Sequence, residues 1–400
     1  MKNASICIVL FSLIFNQTLK PAISVDVDST RHKIHYMYAV LAQSGQLMPT
    51  WSFMRDKYRT DGEEFGDFSS LSFQILKQTY GDKPIEQIYH YPRYGIGVYT
   101  GNFFRDSYLS KPLGLYGVFS APLFEWNHLR LNYYVWAGII GNWNHYDPSK
   151  NNFNTTLAGD FTSHIDAGLQ LNYKISTHFE AGIASAFTHF SNGAMKIPNF
   201  GINMLAPRFS ITYLPENVEP KKIKRALPKY LKNTFLDIAL YGGEKELPYP
   251  ECNLDTAHNF FGFNYPQFGL TAVLNRNINY VLTLGLGLHL GYDSSKNTRY
   301  RLDNGQTVAD LNFRAENLNL GIIPSLELNY DKIAFVLQPC FSIYKHETTF
   351  KKPDFFGKFG LKLVLWDNVY TGVQLHTFKL HADFIEWSLG YRLPLTRQSN

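Results

Sequence analysis

The sequence predicts an all-β protein whose strands form an antiparallel, transmembrane outer-membrane β-barrel. Three observations lead to this prediction. Phe, Trp and Tyr make up 16% of the 400 residues, no apolar run of helix-spanning length follows residue 24, and segments of alternating polarity recur along the chain. A chain that crosses a membrane without such helices must close a barrel, because unpaired backbone polar groups are too costly in hydrocarbon.

Residues 1–24 are predicted to be a secretory signal peptide. Lys2 gives a short basic start, an apolar stretch runs from Ile6 to Phe15, and Ala22 and Ser24 stand at the −3 and −1 positions of a cleavage site. The stretch is too short for a membrane anchor, because a spanning helix needs about 20 apolar residues. We therefore expect export to the outer membrane of a Gram-negative bacterium.

Alternating segments of about ten residues, separated by polar turns, are typical of barrel strands. Before residue 216 the pattern predicts eight strands, near 34–42, 71–79, 92–103, 113–120, 128–140, 161–174, 178–191 and 201–214. A soluble sandwich or barrel would alternate in the same way. The long strands, their tyrosine-rich ends and the signal peptide favour the membrane barrel.

The chain divides into two β-rich halves. Residues 25–215 form the first barrel region, 216–232 a basic linker or turn, and 233–400 a second region of about eight strands. This pattern fits one barrel of about 14–16 strands or two eight-stranded units. We slightly favour the single barrel, because so short a linker can serve as one periplasmic turn.

Charge and cysteine content argue against several kinds of site. The net charge of +5 is mild, and no nucleic-acid motif accompanies the basic linker. Cys252 and Cys340 lie too far apart in sequence to indicate a disulfide scaffold or a zinc site. His376 and His381 have no carboxylate in register, so no metal is expected, and no motif indicates a cofactor.

One hairpin carries a candidate catalytic cluster. Alternation along a strand places His189 and Ser191 on the same face. If residues 192–200 close the hairpin symmetrically, His189 faces Asn203, with Cβ atoms about 4.5–5.5 Å apart. The bulky apolar residues of both strands share this face, which is therefore expected to be the lipid-facing one. With a periplasmic N-terminus, the seventh strand would end at the extracellular rim.

These side chains suit ester hydrolysis. His189 would act as general base and Ser191 as nucleophile, while Asn203 would orient the imidazole. Asn192 and the backbone N–H groups of Gly193 or Ala194 would form the oxyanion hole.

The same residues resemble a known family. The match covers His189, Ser191, Asn192, Lys196, Pro198, Asn199, Gly201 and Ile202, together with segments 77–81, 91–97, 151–154 and 163–165. In these segments the chain resembles the PagL-like lipid A 3-O-deacylase family, also called acyloxyacyl hydrolases. The resemblance covers about residues 35–215 and is greatest to a longer branch of the family that has a second β-rich half. The resemblance implies an outer-membrane esterase that removes the acyl chain at the 3-position of lipid A in lipopolysaccharide. Its site would face the lipids of the outer leaflet.

The chain departs from that family at one position. The acidic third member of the best-known enzymes falls where this chain has Asn203. Asp166 is expected on the lumen face and Glu180 at the far end of its strand, so Asn203 remains the predicted orienting residue. The alternative hypotheses are an esterase that acts on phospholipid, a degenerate enzyme, and a non-catalytic barrel that serves as a porin or surface scaffold.

Overall fold

The structure is a computed structural model. It describes residues 35–48, 66–104, 106–215, 222–224, 226–227, 229–248, 262–296, 298–303, 306–345, 355–378 and 381–395. The predicted signal peptide and Cys252 lie outside these residues. Cys340 is buried with a free thiol.

The first half of the chain closes into an eight-stranded antiparallel barrel. Its strands are β1 (Tyr36–Gln46), β2 (Asp67–Gln78), β3 (Arg93–Asn102), β4 (Leu113–Trp126), β5 (Leu129–Gly141), β6 (Thr162–Lys174), β7 (Phe179–Ser191) and β8 (Ile202–Tyr213). Each strand pairs with the next, and β8 returns to β1, with Tyr38 opposite Tyr213. The seventh strand is therefore the one that carries His189 and Ser191, as predicted.

The second half forms a separate closed barrel, also of eight strands. Its strands are β9 (Thr234–Pro248), β10 (Gly262–Asn277), β11 (Leu282–Asp293), β14 (Leu318–Tyr330), β15 (Ile333–Lys345), β16 (Phe355–Trp366), β17 (Val369–Phe378) and β18 (His381–Pro394). A short hairpin of β12 (Tyr300–Asp303) and β13 (Gln306–Ala309) lies between β11 and β14. Of the two predicted architectures, two eight-stranded units is correct and the preference for one large barrel is wrong. Both edges of β8 are occupied, by β7 and β1, so none remains for β9.

Helical structure in the described residues is limited to short segments. These are α1 (Pro84–Ile88), α2 (Asp106–Leu109) and a 3₁₀ turn at Ala315–Asn317. No helix in this part of the chain has the length and apolar character needed to cross a membrane.

The interior of the first barrel is packed with large side chains. Tyr99, Tyr116, Tyr134 and Trp136 are almost fully buried there. The guanidinium of Arg208 lies 3.9 Å from the centre of a Trp136 ring. Eight strands enclose a space just wide enough for side chains, whereas porins of 16–18 strands leave an aqueous channel. The filled interior therefore argues against the porin hypothesis.

The interior of the second barrel is lined by paired charges. Lys245 lies 3.0 Å from Asp293, and Lys358 lies 2.7 Å from Glu386. Glu386 also contacts His376, with 2.6 Å between the carboxylate and Nε2. The expectation that His376 has no carboxylate partner in register is therefore wrong. Glu386 faces Gln374 across the ladder, which makes it the diagonal neighbour of His376 on the lumen face.

The connections differ at the two ends of the barrels. One end has tight turns, as at 127–128 and 331–332, whereas the other has long segments, as at 142–161 and 294–317. Outer-membrane barrels have short periplasmic turns and longer extracellular loops. Ser191 lies at the long-loop end, so this pattern agrees with a site at the extracellular rim.

The two barrels touch at the short-turn end. The hydroxyl of Tyr89 donates to the carbonyl of Asn329 over 2.8 Å. The Tyr330 ring packs edge-on against Tyr89 and Phe119, with ring centres 5.2 and 5.1 Å apart. Lys83 and Asp331 form an exposed ion pair beside them. All described residues belong to one compact unit.

We predict that Asp166→Asn destabilises the first barrel strongly. Asp166 is fully buried and receives hydrogen bonds from Arg208 and Thr188, so its loss leaves the Arg208 guanidinium buried without a counter-charge. Removing one partner of a buried ion pair costs about 3–5 kcal/mol. The measurement is the free energy of unfolding in urea.

The matched control is Asp331→Asn, which removes a carboxylate from an exposed pair. We expect a change below about 1 kcal/mol there. Equal changes in the free energy of unfolding would contradict the view that Asp166 stabilises the barrel as the buried counter-charge of Arg208.

Candidate functional site

The candidate site lies at the end of the β7–β8 hairpin. His189 pairs with Asn203 across the ladder, which is the predicted register. Outward residues of β7 such as Ile183 and Phe187 are exposed, whereas the alternate residues Ala186 and Thr188 are buried in the lumen. His189, Ser191 and Asn203 belong to the outward set by alternation. His189 and Asn203 are half-buried, and Ser191 is buried, with 6% of its surface exposed.

The three side chains form a continuous hydrogen-bonded line. His189 Nδ1 lies 2.7 Å from Asn203 Oδ1, and His189 Nε2 lies 3.0 Å from Ser191 Oγ. An amide oxygen can only accept, so Nδ1 carries the proton in this arrangement. Nε2 then has a free lone pair directed at the serine hydroxyl. This is the tautomer that a general base for Ser191 requires.

Neighbouring strands fix the backbone of the cluster. Ser163 on β6 lies opposite Ser191 and donates from its hydroxyl to the Ser191 carbonyl over 2.9 Å. The carbonyl of Asn203 accepts from the Met48 amide over 2.9 Å, just beyond β1. A Cβ added at Gly201 would lie 3.0 Å from the His189 ring and 3.5 Å from Ser191 Cβ. The glycine therefore leaves space beside the side chains of His189 and Ser191.

The turn after Ser191 presents two backbone amides. Gly193 and Ala194 both have positive φ, 65° and 64°, and the Met195 amide closes the turn onto the Asn192 carbonyl over 3.4 Å. Within the described residues neither the Gly193 nor the Ala194 amide donates a hydrogen bond. A left-handed backbone is costly for a non-glycine residue such as Ala194, and such strain is concentrated at functional sites.

Asn192 is held in place by residues of its own loop. Its backbone amide donates to Asn199 Oδ1 and its Nδ2 to the Lys196 carbonyl, both over 3.0 Å. Asn192 Oδ1 is buried and has no hydrogen-bond partner among the described residues. The backbone amide of Asn192 is thus already used, whereas those of Gly193 and Ala194 stay available for an oxyanion.

A second loop supports the hairpin. The amides of Phe200 and Gly201 donate to the carbonyls of Thr155 and Thr156 over 3.3 and 3.0 Å. Asn154, which is fully buried, organises that loop. Its Nδ2 donates to two carbonyls and its Oδ1 accepts from Thr156. The asparagine-rich segment 151–154 is therefore part of the scaffold of the site.

The two carboxylates considered as alternatives to Asn203 are engaged elsewhere. Asp166 lies in the lumen with Arg208 and Thr188. Glu180, at the far end of β7, forms a bidentate pair with Arg93 at 2.6 and 2.9 Å. Asn203 is therefore the group in contact with His189 Nδ1.

Three supporting residues have no assigned role in the sequence analysis. Ser163 could have been found from alternation, because it occupies the outward face of a predicted strand. Asn199 lies within the family-like motif without a role attached to it. Glu246 of β9 accepts a hydrogen bond from the Ile197 amide over 2.9 Å. No local pattern in the sequence connects Glu246 with Ile197.

Comparison with known proteins gives two family matches. Residues 71–212 match the family described as lipid A 3-O-deacylase (PagL). Residues 234–395 match the family described as acyloxyacyl hydrolase, C-terminal domain (PagL_C). The two matches follow the two barrels. No curated protein matches the sequence.

Solved structures give only remote likenesses. CdiB from Acinetobacter baumannii is 10% identical with a TM-score of 0.18, covering 90% of this chain and 60% of its own. The siderophore receptor PirA from Pseudomonas aeruginosa is 7% identical with a TM-score of 0.25, covering 91% and 81%. The transport unit of the autotransporter AIDA-I from Escherichia coli is 12% identical with a TM-score of 0.19, covering 93% and 94%. This chain thus spans about 60% of the length of CdiB.

We predict that Asn154→Asp loosens the loop that holds the hairpin. The carboxylate would place an oxygen against the carbonyls of Tyr108 and Asn144, which now accept from Nδ2 over 3.0 and 2.8 Å. The Gly201 amide should then lose protection in hydrogen exchange measured by mass spectrometry. Asn127→Asp, in an exposed turn at the opposite end, is the matched control. Unchanged protection of Gly201 would show that Asn154 does not organise this support.

Proposed function

We propose that this chain is a serine esterase that uses His189, Ser191 and Asn203. The proposal proceeds from the family to which the chain belongs, the PagL-like lipid A ester hydrolases of the outer membrane. The observation that carries the proposal is the hydrogen-bonded line from Asn203 through His189 to Ser191 on the outer wall of the barrel. Polar side chains on a barrel wall that faces lipid reduce stability, so their presence there indicates a function.

The geometry supports acyl transfer in two steps. In the first, His189 Nε2 takes the hydroxyl proton of Ser191 while Oγ attacks the ester carbonyl. The tetrahedral intermediate then collapses, the ester C–O bond breaks, and the imidazolium returns the proton to the departing sugar alkoxide. In the second step His189 activates a water molecule, which releases the fatty acid and regenerates Ser191.

The turn after Ser191 supplies the oxyanion donors in this mechanism. The amides of Gly193 and Ala194 have no other acceptor among the described residues, and they follow the nucleophile directly in the chain. Asn192 Nδ2 is a further donor, since its bond to Lys196 uses only one of its two hydrogens. Removing a single donor of this kind typically costs about 2.7–4 kcal/mol of transition-state stabilisation.

The surroundings suit a lipid substrate. The exposed apolar side chains of Ile165, Phe187 and Leu205 surround the cluster on the outer wall. An acyl chain can lie against them while its ester carbonyl reaches Ser191 near the end of the strand. The substrate would therefore be lipid A in the outer leaflet, approached from within the membrane. Cleavage at the 3-position follows the description of the matching family.

Asn203 defines how the imidazole is held in this mechanism. Its amide oxygen fixes the ring and the Nδ1–H tautomer, as an asparagine does in papain-like proteases. It carries no charge to stabilise the imidazolium that forms when Ser191 is deprotonated. In the proposed enzyme Asn203 therefore orients the His189 ring, but no carboxylate stabilises the positive charge that the ring acquires.

We predict that cells expressing the wild-type protein lose one 3-linked acyl chain from lipid A and that Ser191→Ala abolishes this loss. The substitution removes the nucleophile and preserves the barrel wall. The measurement is mass spectrometry of lipid A from a Gram-negative host. Ser185→Ala is the matched control, because Ser185 is exposed on the same face of β7. Unchanged lipid A in the presence of folded wild-type protein would contradict the proposal.

We predict that Asn203→Ala lowers kcat by up to about 10⁴-fold, the loss seen when the orienting group of a triad no longer fixes the histidine tautomer. Asn203→Asp should raise kcat above the wild type, because a carboxylate stabilises the imidazolium that an amide does not. Initial rates on purified lipopolysaccharide measure both effects. An unchanged kcat in Asn203→Ala would show that the contact with His189 does not matter for the reaction.

A further inference from the structure

The loop that follows the proposed nucleophile docks onto the second barrel. Glu246, near the end of β9, binds it twice. Its carboxylate Oε2 accepts from the Ile197 amide over 2.9 Å, and its own amide donates to the Ala194 carbonyl over 3.3 Å. Both bonds cross from one barrel to the other. They join the second barrel to the same turn that presents the free Gly193 and Ala194 amides.

Apolar contacts accompany these hydrogen bonds. A Cβ added at Gly193 would lie 2.6 Å from Ile385 Cγ1 and 3.4 Å from Leu375 Cδ1. Ile385 and Leu375 pair with each other on the outer wall of the second barrel. They are only half-exposed, whereas Trp387 and Leu389 further along β18 are exposed. The turn therefore covers a patch of the second barrel and packs on it with no space for a side chain at position 193.

A turn of this kind needs an external support. Gly193 and Ala194 are both left-handed, and Asn199 and Lys196, which hold Asn192, belong to the same loop. The first barrel anchors the distal end of the loop, through Phe200 and Gly201. The contacts with Glu246 and Ile385 fix its middle. Oxyanion donors contribute most when they are preorganised, and a misplacement of about 1 Å costs up to about 10²-fold in rate.

We propose that the second barrel is a positioning component of the active site, with Glu246 and Ile385 holding the Gly193–Ala194 turn in its oxyanion-binding geometry. This inference rests on the proposed function. Glu246 and Ile385 act through the loop and do not touch the reacting atoms. The second half of the chain thus has a catalytic purpose, although it contributes no catalytic residue.

The test uses the purified full-length protein and lipopolysaccharide as substrate. Glu246→Ala should lower kcat by about tenfold or more with little change in KM, because the transition state loses its donors while substrate binding stays intact. Glu246→Gln should restore most of kcat, since an amide oxygen still accepts from Ile197. Glu244→Ala is the matched control. Glu244 is exposed on the same face of β9, two residues away.

Three outcomes would overturn the inference. They are a kcat for Glu246→Ala equal to that of Glu244→Ala, a loss confined to KM, and a loss of kcat in Glu246→Gln as large as in Glu246→Ala. Ser191→Ala is measured in parallel. Residual turnover in Ser191→Ala would contradict the proposed function itself. Abolished turnover in Ser191→Ala together with a normal Glu246→Ala would contradict only the role of the second barrel.

A double-mutant cycle tests the apolar contact separately. Gly193→Ala should reduce kcat, because the new Cβ meets Ile385 and because residue 193 has a left-handed φ of 65°. Ile385→Ala in the same chain should then restore part of the rate, since it removes the atoms that clash. Heat-modifiable migration in electrophoresis verifies that each variant is folded. Ile385→Ala alone should lower kcat, because it removes a support of the turn. A wild-type kcat in that single variant would show that the contact with the second barrel does not place the turn.

Discussion

The register between β7 and β8 is the constraint on which the site depends, and buried charge inside the first barrel fixes it. Arg208 and Thr188 point into the lumen, where both bind Asp166. A slip of one residue would turn every side chain of β8 to the opposite face. Arg208 would then face lipid, at a cost of about 2–4 kcal/mol at the bilayer midplane. The same slip would separate His189 from Asn203. The contact of Arg208 with Asp166 in the lumen and the contact of His189 with Asn203 on the outside therefore both depend on the β7–β8 register.

The packed interior of the first barrel is compatible with the proposed position of the site on the outer wall. An eight-stranded barrel has a narrow interior, and here large aromatic side chains fill it. A lipid substrate in the outer leaflet would reach the outer wall directly. The proposed site there consists of a few polar residues near the rim and the loop that follows them. Residues 154–156 support that loop on one side.

The second barrel supports that loop on the other side. Its interior is held by paired charges such as Lys358 with Glu386, and its outer wall presents Ile385 to the turn after Ser191. A rigid neighbour limits the motion of a ten-residue connection that would otherwise be anchored only at its ends. Loops are generally the most mobile parts of a barrel, and an active site built on one gains from such a contact.

Local periodicity was sufficient to predict eight strands in the first half, the lumen and lipid faces, and the pairing of His189 with Asn203. All of these follow from a side-chain period of two and from one hairpin of short sequence separation. Periodicity did not predict the number of barrels, because closure depends on the strand with which β8 pairs. The sequence patterns of β1 and β9 are equally compatible with pairing to β8. The pairing of His376 with Glu386 depends on a register shift in the β17–β18 hairpin, between His376 and Thr377, which the alternation pattern does not reveal. The bonds from Glu246 to the loop join residues on different barrels, whose proximity arises only from the tertiary structure.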